Sequence, residues 1–444
     1  MRQKTTLGRF ANITSGWRSG LRRVGPFYLV KPAAVVVNFI TISVVTQAIG
    51  IDGYGAVTLI VSASALVATV LDFRVNEALV KFRVRYLSEN RHEEANFSVV
   101  LGVIVDSMLA GLYLAAIVAS AAFICGTLLQ GKISEESFIL YGASAAVMFL
   151  GGTPSGILQS ENHFVKLYLA DLGHKVVRLL AVAFVSTGEN PAVDAIIAAY
   201  VSANVLFTLA LAGLALPRVA AGPLRFRVAW SARMAKEFLS FSGHTFVSSL
   251  IKVGINDMDK LILGYYSAVQ DVGAYDIVKR LAGLLLWVGA PLGPVAYPAF
   301  VGYFHKRRFG EMIRLVAVLT PLVMGVSVLA GAAIGYGHEY LAAWFNLTAV
   351  PVMSILVPLL VQNTLLNGVW FSRALANSMG EPQVSIYFNL AMALLTVTML
   401  LALVPEGHGP GAALATLVAA IVTFCLWISY FALKVRTWQK GADL

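Results

Sequence analysis

Between Ser248 and Tyr266 the sequence reads SSLIKVGINDMDKLILGYY, an apolar run interrupted by Lys252, Asn256, Asp257, Asp259 and Lys260. The flanks read as membrane, and each charge placed at mid-bilayer costs roughly 2.5–3.5 kcal/mol on insertion scales. Spacing organises these residues. Thr245, Ser249, Lys252, Asn256 and Asp259 or Lys260 recur every three or four positions, which makes one polar stripe on a helix. Three other stretches repeat the pattern. YLADLGHKVVRLL sets Asp171, His174, Lys175 and Arg178 on one face; VQDVGAYDIVKRLAG puts Asp276 one turn from Lys279 and Arg280; Lys31 and Asn38 lie two turns apart near the start.

Two chemistries suit such residues. In the first, the charges neutralise one another, Asp171 with Lys175, Asp276 with Arg280 and Asp257 with Lys260. In the second, the cations face a hydrated interior and meet an anion. Lys31, Lys175, Arg178, Lys252, Lys260, Lys279 and Arg280 outnumber Asp171, Asp257, Asp259 and Asp276. That surplus suits an anionic guest such as a pyrophosphate or a glycan bearing uronic acids. The cations expected to line the site are Lys31, Lys175, Arg178, Lys252, Lys279 and Arg280, with Arg178, Arg280 and Lys252 the deepest. Asp106, isolated in an apolar stretch, could carry a coupling proton or sodium ion, as could Asp171 and Asp259; a plainly hydrogen-bonded buried Asp106 is the other reading. In QNTLLNGVWF, Gln362, Asn363, Asn367 and Trp370 could grip sugar, together with Asn256, or only bond to neighbouring helices. GTLLQGKIS resembles a phosphate loop, but Ile133 stands where Ser or Thr is needed and no strand precedes it. No metal site and no cofactor are expected.

The elements that must position these residues are membrane helices. Of 444 residues, 58% are hydrophobic and 13% charged, where soluble domains carry about 25% charged residues. A mean hydropathy of +0.77 fits a polytopic helical membrane protein. Twelve spans fall near 26–48, 56–73, 97–122, 138–158, 166–187, 193–215, 238–265, 270–302, 312–334, 350–371, 383–404 and 409–432. They leave no room for a soluble catalytic domain, so the chain is not expected to be an enzyme. The two cysteines, Cys125 and Cys425, sit in or beside apolar runs and read as small hydrophobes.

Charge in the loops sets orientation. Twenty-four of the 33 Lys and Arg fall in one alternating set of loops and a single one, Lys132, in the other. Cytoplasmic loops collect positive charge, so both termini are expected in the cytoplasm. The expected organisation is a basic arm (1–25), a six-helix bundle (26–216), an amphipathic linker (217–237) with Phe226, Trp230 and Met234 at helical spacing, a second six-helix bundle (238–432) and a tail (433–444). IDGYGAVTLIVSASAL and VQDVGAYDIVKRLAGL match as a parallel repeat, each with a Gly-containing turn before a new helix, Gly55 against Gly273.

VVTQAIGIDGYGAVTLIVSASALVATVLDFRVNEALVKF resembles the opening of the polysaccharide-biosynthesis flippases. INDMDKLILGYYSAVQDVGAYDIVKRLAG, followed by PVAYPAF, resembles their seventh and eighth helices. One departure is Asp72-Phe73-Arg74, where the family pattern has a Gly in the third position. The resemblance implies the multidrug/oligosaccharidyl-lipid/polysaccharide superfamily: an all-α integral membrane fold of about twelve helices in two six-helix bundles around a central cavity. It also implies alternating access that carries a polyprenyl-pyrophosphate-linked oligosaccharide across a bacterial cytoplasmic membrane. The implied partners are that lipid-linked substrate, membrane lipids and polysaccharide polymerases or glycosyltransferases, with the transporter itself a monomer and no role for nucleic acid. Two alternatives stay open. A cation-coupled multidrug antiporter should show isolated buried carboxylates without the cation surplus. A membrane glycan polymerase or ligase should carry a sizeable outer loop with reactive groups, and the outer loops here are short and nearly free of charge.

Overall fold

In the computed structural model the backbone is described for residues 4–188, 191–220, 230–253, 257–347 and 350–442. Side chains are described over 30–188, 191–217, 230–243, 246, 257–293, 295–347 and 350–438. The described residues are helical, with no strand among them. In chain order the helices are α1 (Lys4–Thr69), α2 (Val75–Ser88), α3 (His92–Ala122), α4 (Glu135–Phe149), α5 (Gly152–Ser160), α6 (Phe164–Ser186), α7 (Val193–Ala220), α8 (Ala232–Val253) and α9 (Met258–Tyr266). They continue as α10 (Val269–Gly283), α11 (Leu286–Gly289), α12 (Leu292–His305), α13 (Phe309–Tyr336), α14 (His338–Trp344), α15 (Val352–Gly368), α16 (Ser372–Ser378) and α17 (Pro382–Ala442).

Among the described residues, seven runs are long and apolar enough to cross a membrane, Val30–Thr69 and Pro382–Trp438 being two of them. Each of those two contains one residue outside helical conformation, Gly50 (φ 72°) and His408 (φ 46°), so each is two spans. A straight helix of 57 residues would be about 85 Å long, against a hydrocarbon core of about 30 Å. Three further stretches, α6, α8 with α9, and α10 to α12, carry the embedded charges and lie outside those seven runs. With them the described residues hold twelve crossings, and the protein has an all-α membrane fold.

The breaks do not all fall where the sequence suggested. The turn between the first two spans is at Gly50, and Gly55 lies inside the following helix. Gly273 is likewise inside α10, which starts after the extended Ser267 and Ala268. Both glycines serve close approach instead. A Cβ on Gly55 would strike the backbone carbonyl of Val269, and one on Gly273 would meet the carbonyl oxygen of Ile51. One shift along the chain takes Ile51 to Val269 and Gly55 to Gly273, so the contact is reciprocal and joins the two matched segments. Only side chains as small as hydrogen let helix backbones approach so closely.

The eighth span is interrupted after Gly283 and again at Pro291, which precedes the first turn of α12 and donates no amide hydrogen. Within the break the carbonyl of Leu285 accepts from the Val288 amide at 3.0 Å and also from Asn367 Nδ2 at 2.7 Å, so this backbone is satisfied inside the protein.

By contact the chain forms two compact units, each drawing on several segments. The first comprises Met1–Val45, Asp72–Val118 and Ile139–Thr245. Its core is built on α2, where Val75, Ala78, Leu79, Phe82 and Tyr86 recur at helical spacing and pack with Phe97, Leu101, Ile157, Leu158, Leu211 and Phe238. Met234 packs against this core and Trp230 meets Phe97 edge-on; Phe226 lies outside the described residues. The second unit comprises Thr46–Leu71, Ala119–Phe138 and Phe246–Leu444. Its cores gather Phe300, Met312, Val316, Trp370, Phe371 and Leu375, and Val369, Ala376 and Trp427. Cys125 is buried and Cys425 exposed, both as free thiols.

Candidate functional site

The embedded charges form two clusters, one in each unit. In the first unit, the three- and four-residue spacing of α6 presents Asp171, His174, Lys175 and Arg178 together. Asp171 Oδ2 accepts from Lys175 Nζ and Lys31 Nζ, both at 2.9 Å. One turn on, the buried His174 has Nε2 3.1 Å from Asn204 Oδ1 and 3.1 Å from Arg178 Nη2. Asn204 Nδ2 donates to Ser144 Oγ at 3.1 Å. The Arg178 guanidinium also lies over the Tyr200 ring at 4.8 Å, and its Nε is buried without a hydrogen-bond partner. No carboxylate among the described residues pairs with Arg178. The cluster therefore holds three cations on one acid.

The second cluster, in the second unit, is balanced. Asp257 precedes α9 and its Oδ1 is 2.6 Å from Lys260 Nζ, which also reaches Asp276 Oδ1 at 3.1 Å. Asp276 Oδ2 accepts from Arg280 Nε at 2.7 Å and from the Tyr54 hydroxyl at 2.5 Å. Asp259 Oδ2 accepts from Lys279 Nζ at 2.5 Å and the Tyr275 hydroxyl at 2.7 Å, while its Oδ1 accepts from the Lys260 amide at 2.9 Å. Asp259 and Asp276 are 1% and 2% exposed, so each carboxylate oxygen needs a partner within the protein, and each has at least one. Three cations face three acids. Removing one partner of such a buried set costs about 3–5 kcal/mol.

All three pairings open to the sequence form: Asp171 with Lys175, Asp276 with Arg280 and Asp257 with Lys260. The cation surplus is uneven. It belongs to Lys31, Lys175 and Arg178, whereas Lys279 and Arg280 each sit on an acid. The Lys252 side chain and Asn256 lie outside the described residues.

Asp106 is 3% exposed and its Oδ2 accepts from the Thr153 amide at 2.7 Å. It thus caps the start of α5 from a neighbouring helix, satisfying an amide that the helix itself leaves open. Asn367 spends both amide hydrogens on Leu285 and on Ser327 Oγ, the latter at 2.8 Å, and Trp370 donates to Thr320 Oγ1 at 3.2 Å. Asn363 is buried. Lys132 donates to the carbonyls of Gly264 (2.7 Å), Ser267 (3.0 Å) and Tyr265 (3.3 Å) and so caps the end of α9; burial pulls its ammonium below the ordinary lysine range. The loop that resembled a phosphate cradle therefore serves packing. Tyr54, Tyr275, Asn204 and Lys132 are residues that helical spacing alone did not single out. The one signal for Lys132 was its isolation in the charge-poor set of loops.

A family model described as "Polysaccharide biosynthesis protein" matches residues 25–304, more than half of the chain. The chain belongs to this polysaccharide biosynthesis family. No curated protein matches it. Its fold is that of the multidrug/oligosaccharidyl-lipid/polysaccharide, or MOP, superfamily. An inward-facing multidrug resistance MATE transporter aligns with TM-score 0.78 and 13% identity, over 92% of this chain and 96% of that one. The lipid II flippase MurJ in an inward closed conformation aligns with TM-score 0.69 and 12% identity, over 93% and 89%. A MOP superfamily transporter from Pyrococcus furiosus, noted for a binding pocket of reversed polarity, aligns with TM-score 0.62 and 13% identity, over 94% and 96%. These fold neighbours are membrane transporters and a flippase.

Proposed function

We propose that this protein flips a polyprenyl-pyrophosphate-linked oligosaccharide across a bacterial cytoplasmic membrane, with both termini cytoplasmic, to supply surface or extracellular polysaccharide synthesis. The observation that carries the reading is the uncompensated cluster of Lys31, Lys175 and Arg178 around the single acid Asp171. A guanidinium with no carboxylate partner among the described residues, set in an apolar helix, is retained at a cost, and a pyrophosphate headgroup would meet it with charge-assisted hydrogen bonds. The polyprenyl tail stays in lipid and no bond is made or broken, so the step is transport by alternating access. Membership of the polysaccharide biosynthesis family supports a glycan cargo.

The test is charge reversal. Arg178→Glu is expected to abolish surface polysaccharide while the protein accumulates normally in the membrane, and Arg178→Lys to retain part of it. Normal glycan export by Arg178→Glu would remove the cationic headgroup site. A cation-coupled multidrug antiporter is the competing reading, favoured by the MATE-like fold. It requires drug efflux driven by protons or sodium that stops when a coupling carboxylate is neutralised.

A further inference from the structure

The second unit contains a cavity of about 620 Å³ opened between α11, α12, α15, α16 and α17. This lies within the roughly 300–1,000 Å³ of ordinary small-ligand sites. Arg373 and Asn377 are one turn apart on α16, and Asn389 faces the same space from α17. No side-chain hydrogen bond or ion pair occupies any of the three among the described residues. Asn367, also on the wall, has already spent its amide hydrogens on Leu285 and Ser327.

The apolar lining is two tryptophans held rigid by their neighbours. Trp427 meets Phe388 edge-on at 4.9 Å and Tyr430 at 5.8 Å. Trp370 stacks on Phe300 at 6.1 Å and is anchored through its indole N–H to Thr320. The floor is Gly289, Ala290 and Gly293, and a Cβ at Gly293 would come within 3.3 Å of the Trp370 carbonyl oxygen. Small residues there leave the space open.

We propose that this cavity binds an acidic sugar, as a subsite for the glycan end of the cargo. The inference rests on the flippase reading and adds where and how sugar is recognised. Arg373 supplies the planar two-pronged donor that matches a uronate carboxylate. Asn377 and Asn389 each offer both a donor and an acceptor to ring hydroxyls. The two indoles, Trp427 3% and Trp370 8% exposed, border the space and give the sugar an apolar edge to rest against. The pyrophosphate and the sugar are thereby read by different residues.

The experiment uses the full-length protein in phosphatidylcholine nanodiscs and isothermal titration calorimetry. The probes are a glucuronic acid–glucose disaccharide, the neutral glucose disaccharide and inorganic pyrophosphate. The acidic disaccharide is expected to bind about ten-fold or more tightly than the neutral one, a charge-assisted contact being the difference. Arg373→Ala, at an exposed position, should erase that preference. Ala290→Leu, which fills the floor, should abolish binding of both disaccharides and leave pyrophosphate binding unchanged. The proposal is overturned if the acidic disaccharide fails to bind. It is equally overturned if binding is the same in both variants, or if phosphatidylglycerol in the disc displaces the sugar and so assigns the cavity to lipid headgroups. Pyrophosphate binding that ignores Arg178→Glu counts against the flippase reading alone; disaccharide binding that ignores Arg373→Ala counts against this subsite alone.

Discussion

Lys31 Nζ and Asp171 Oδ2 lie 2.9 Å apart, joining the first span to the fifth across 140 residues of chain. The same oxygen holds Lys175, so one carboxylate restrains two ammonium groups. All three side chains are 24–29% exposed, which limits each pair to about 1 kcal/mol. Asp171→Asn is therefore expected to leave the protein folded, with thermal stability lowered by about 1–2 kcal/mol. A double-mutant cycle of Lys31→Met with Asp171→Asn should return a coupling of about 1 kcal/mol. Additive single and double variants would show that the pair contributes nothing.

Gly55 and Gly273 make a different kind of demand, since each faces backbone rather than a side chain that could turn away. Gly55→Ala should push two helices apart and cost about 1–3 kcal/mol, in the range of overpacked cores. Gly111, with nothing near its missing Cβ, is the control. Gly111→Ala should be neutral or stabilise by about 0.5–1 kcal/mol through helix propensity. Equal melting temperatures for the two alanine variants would contradict the reciprocal crossing.

Arg74 occupies the position where the family pattern has glycine, and its backbone is left-handed at φ 50° and ψ 40°. The conformation that favours glycine has been kept while the residue changed. The cost, about 1–2 kcal/mol for an L-residue, is offset in part by ion pairs with Asp72 at 3.2 Å and Glu77 at 3.5 Å. The acids Asp72 and Glu77 are exposed and Arg74 is half-buried, so solvent weakens both pairs. Arg74→Gly should thus hold stability within about 1 kcal/mol, whereas Arg74→Val, which keeps the strain and loses the pairs, should be clearly less stable. A valine variant as stable as the glycine one would show that this backbone is not constrained.

What the sequence made legible was whatever depends on one helix. The pairs Asp171–Lys175, Asp257–Lys260 and Asp276–Arg280 are three or four residues apart, and each could be read from spacing. Lys31–Asp171, Lys260–Asp276, Lys279–Asp259 and Tyr54–Asp276 could not, because they depend on which helices touch. That is why the expected cation surplus looked evenly spread and is instead confined to the cluster around Arg178. Span number was readable from hydropathy and loop charge. The turn at Gly50 was misplaced because Gly50, Gly53 and Gly55 lie so close together that composition alone does not show which one takes the left-handed backbone.

Asp106 tests how far a lone membrane carboxylate has to be a coupling site. Its oxygen caps the first turn of α5 through the Thr153 amide, and an Asn side chain has an oxygen that can accept the same hydrogen bond. Asp106→Asn is expected to keep most of the stability and all of the glycan export, whereas Asp106→Ala should lose about 1–2 kcal/mol with the cap. Both are read from membrane abundance, thermal melts and surface polysaccharide in the same cells. An Asn variant that accumulates normally yet exports nothing would show that the negative charge itself is used. That result would move the protein toward the ion-coupled reading, because a cap tolerates loss of the charge and a coupling site does not.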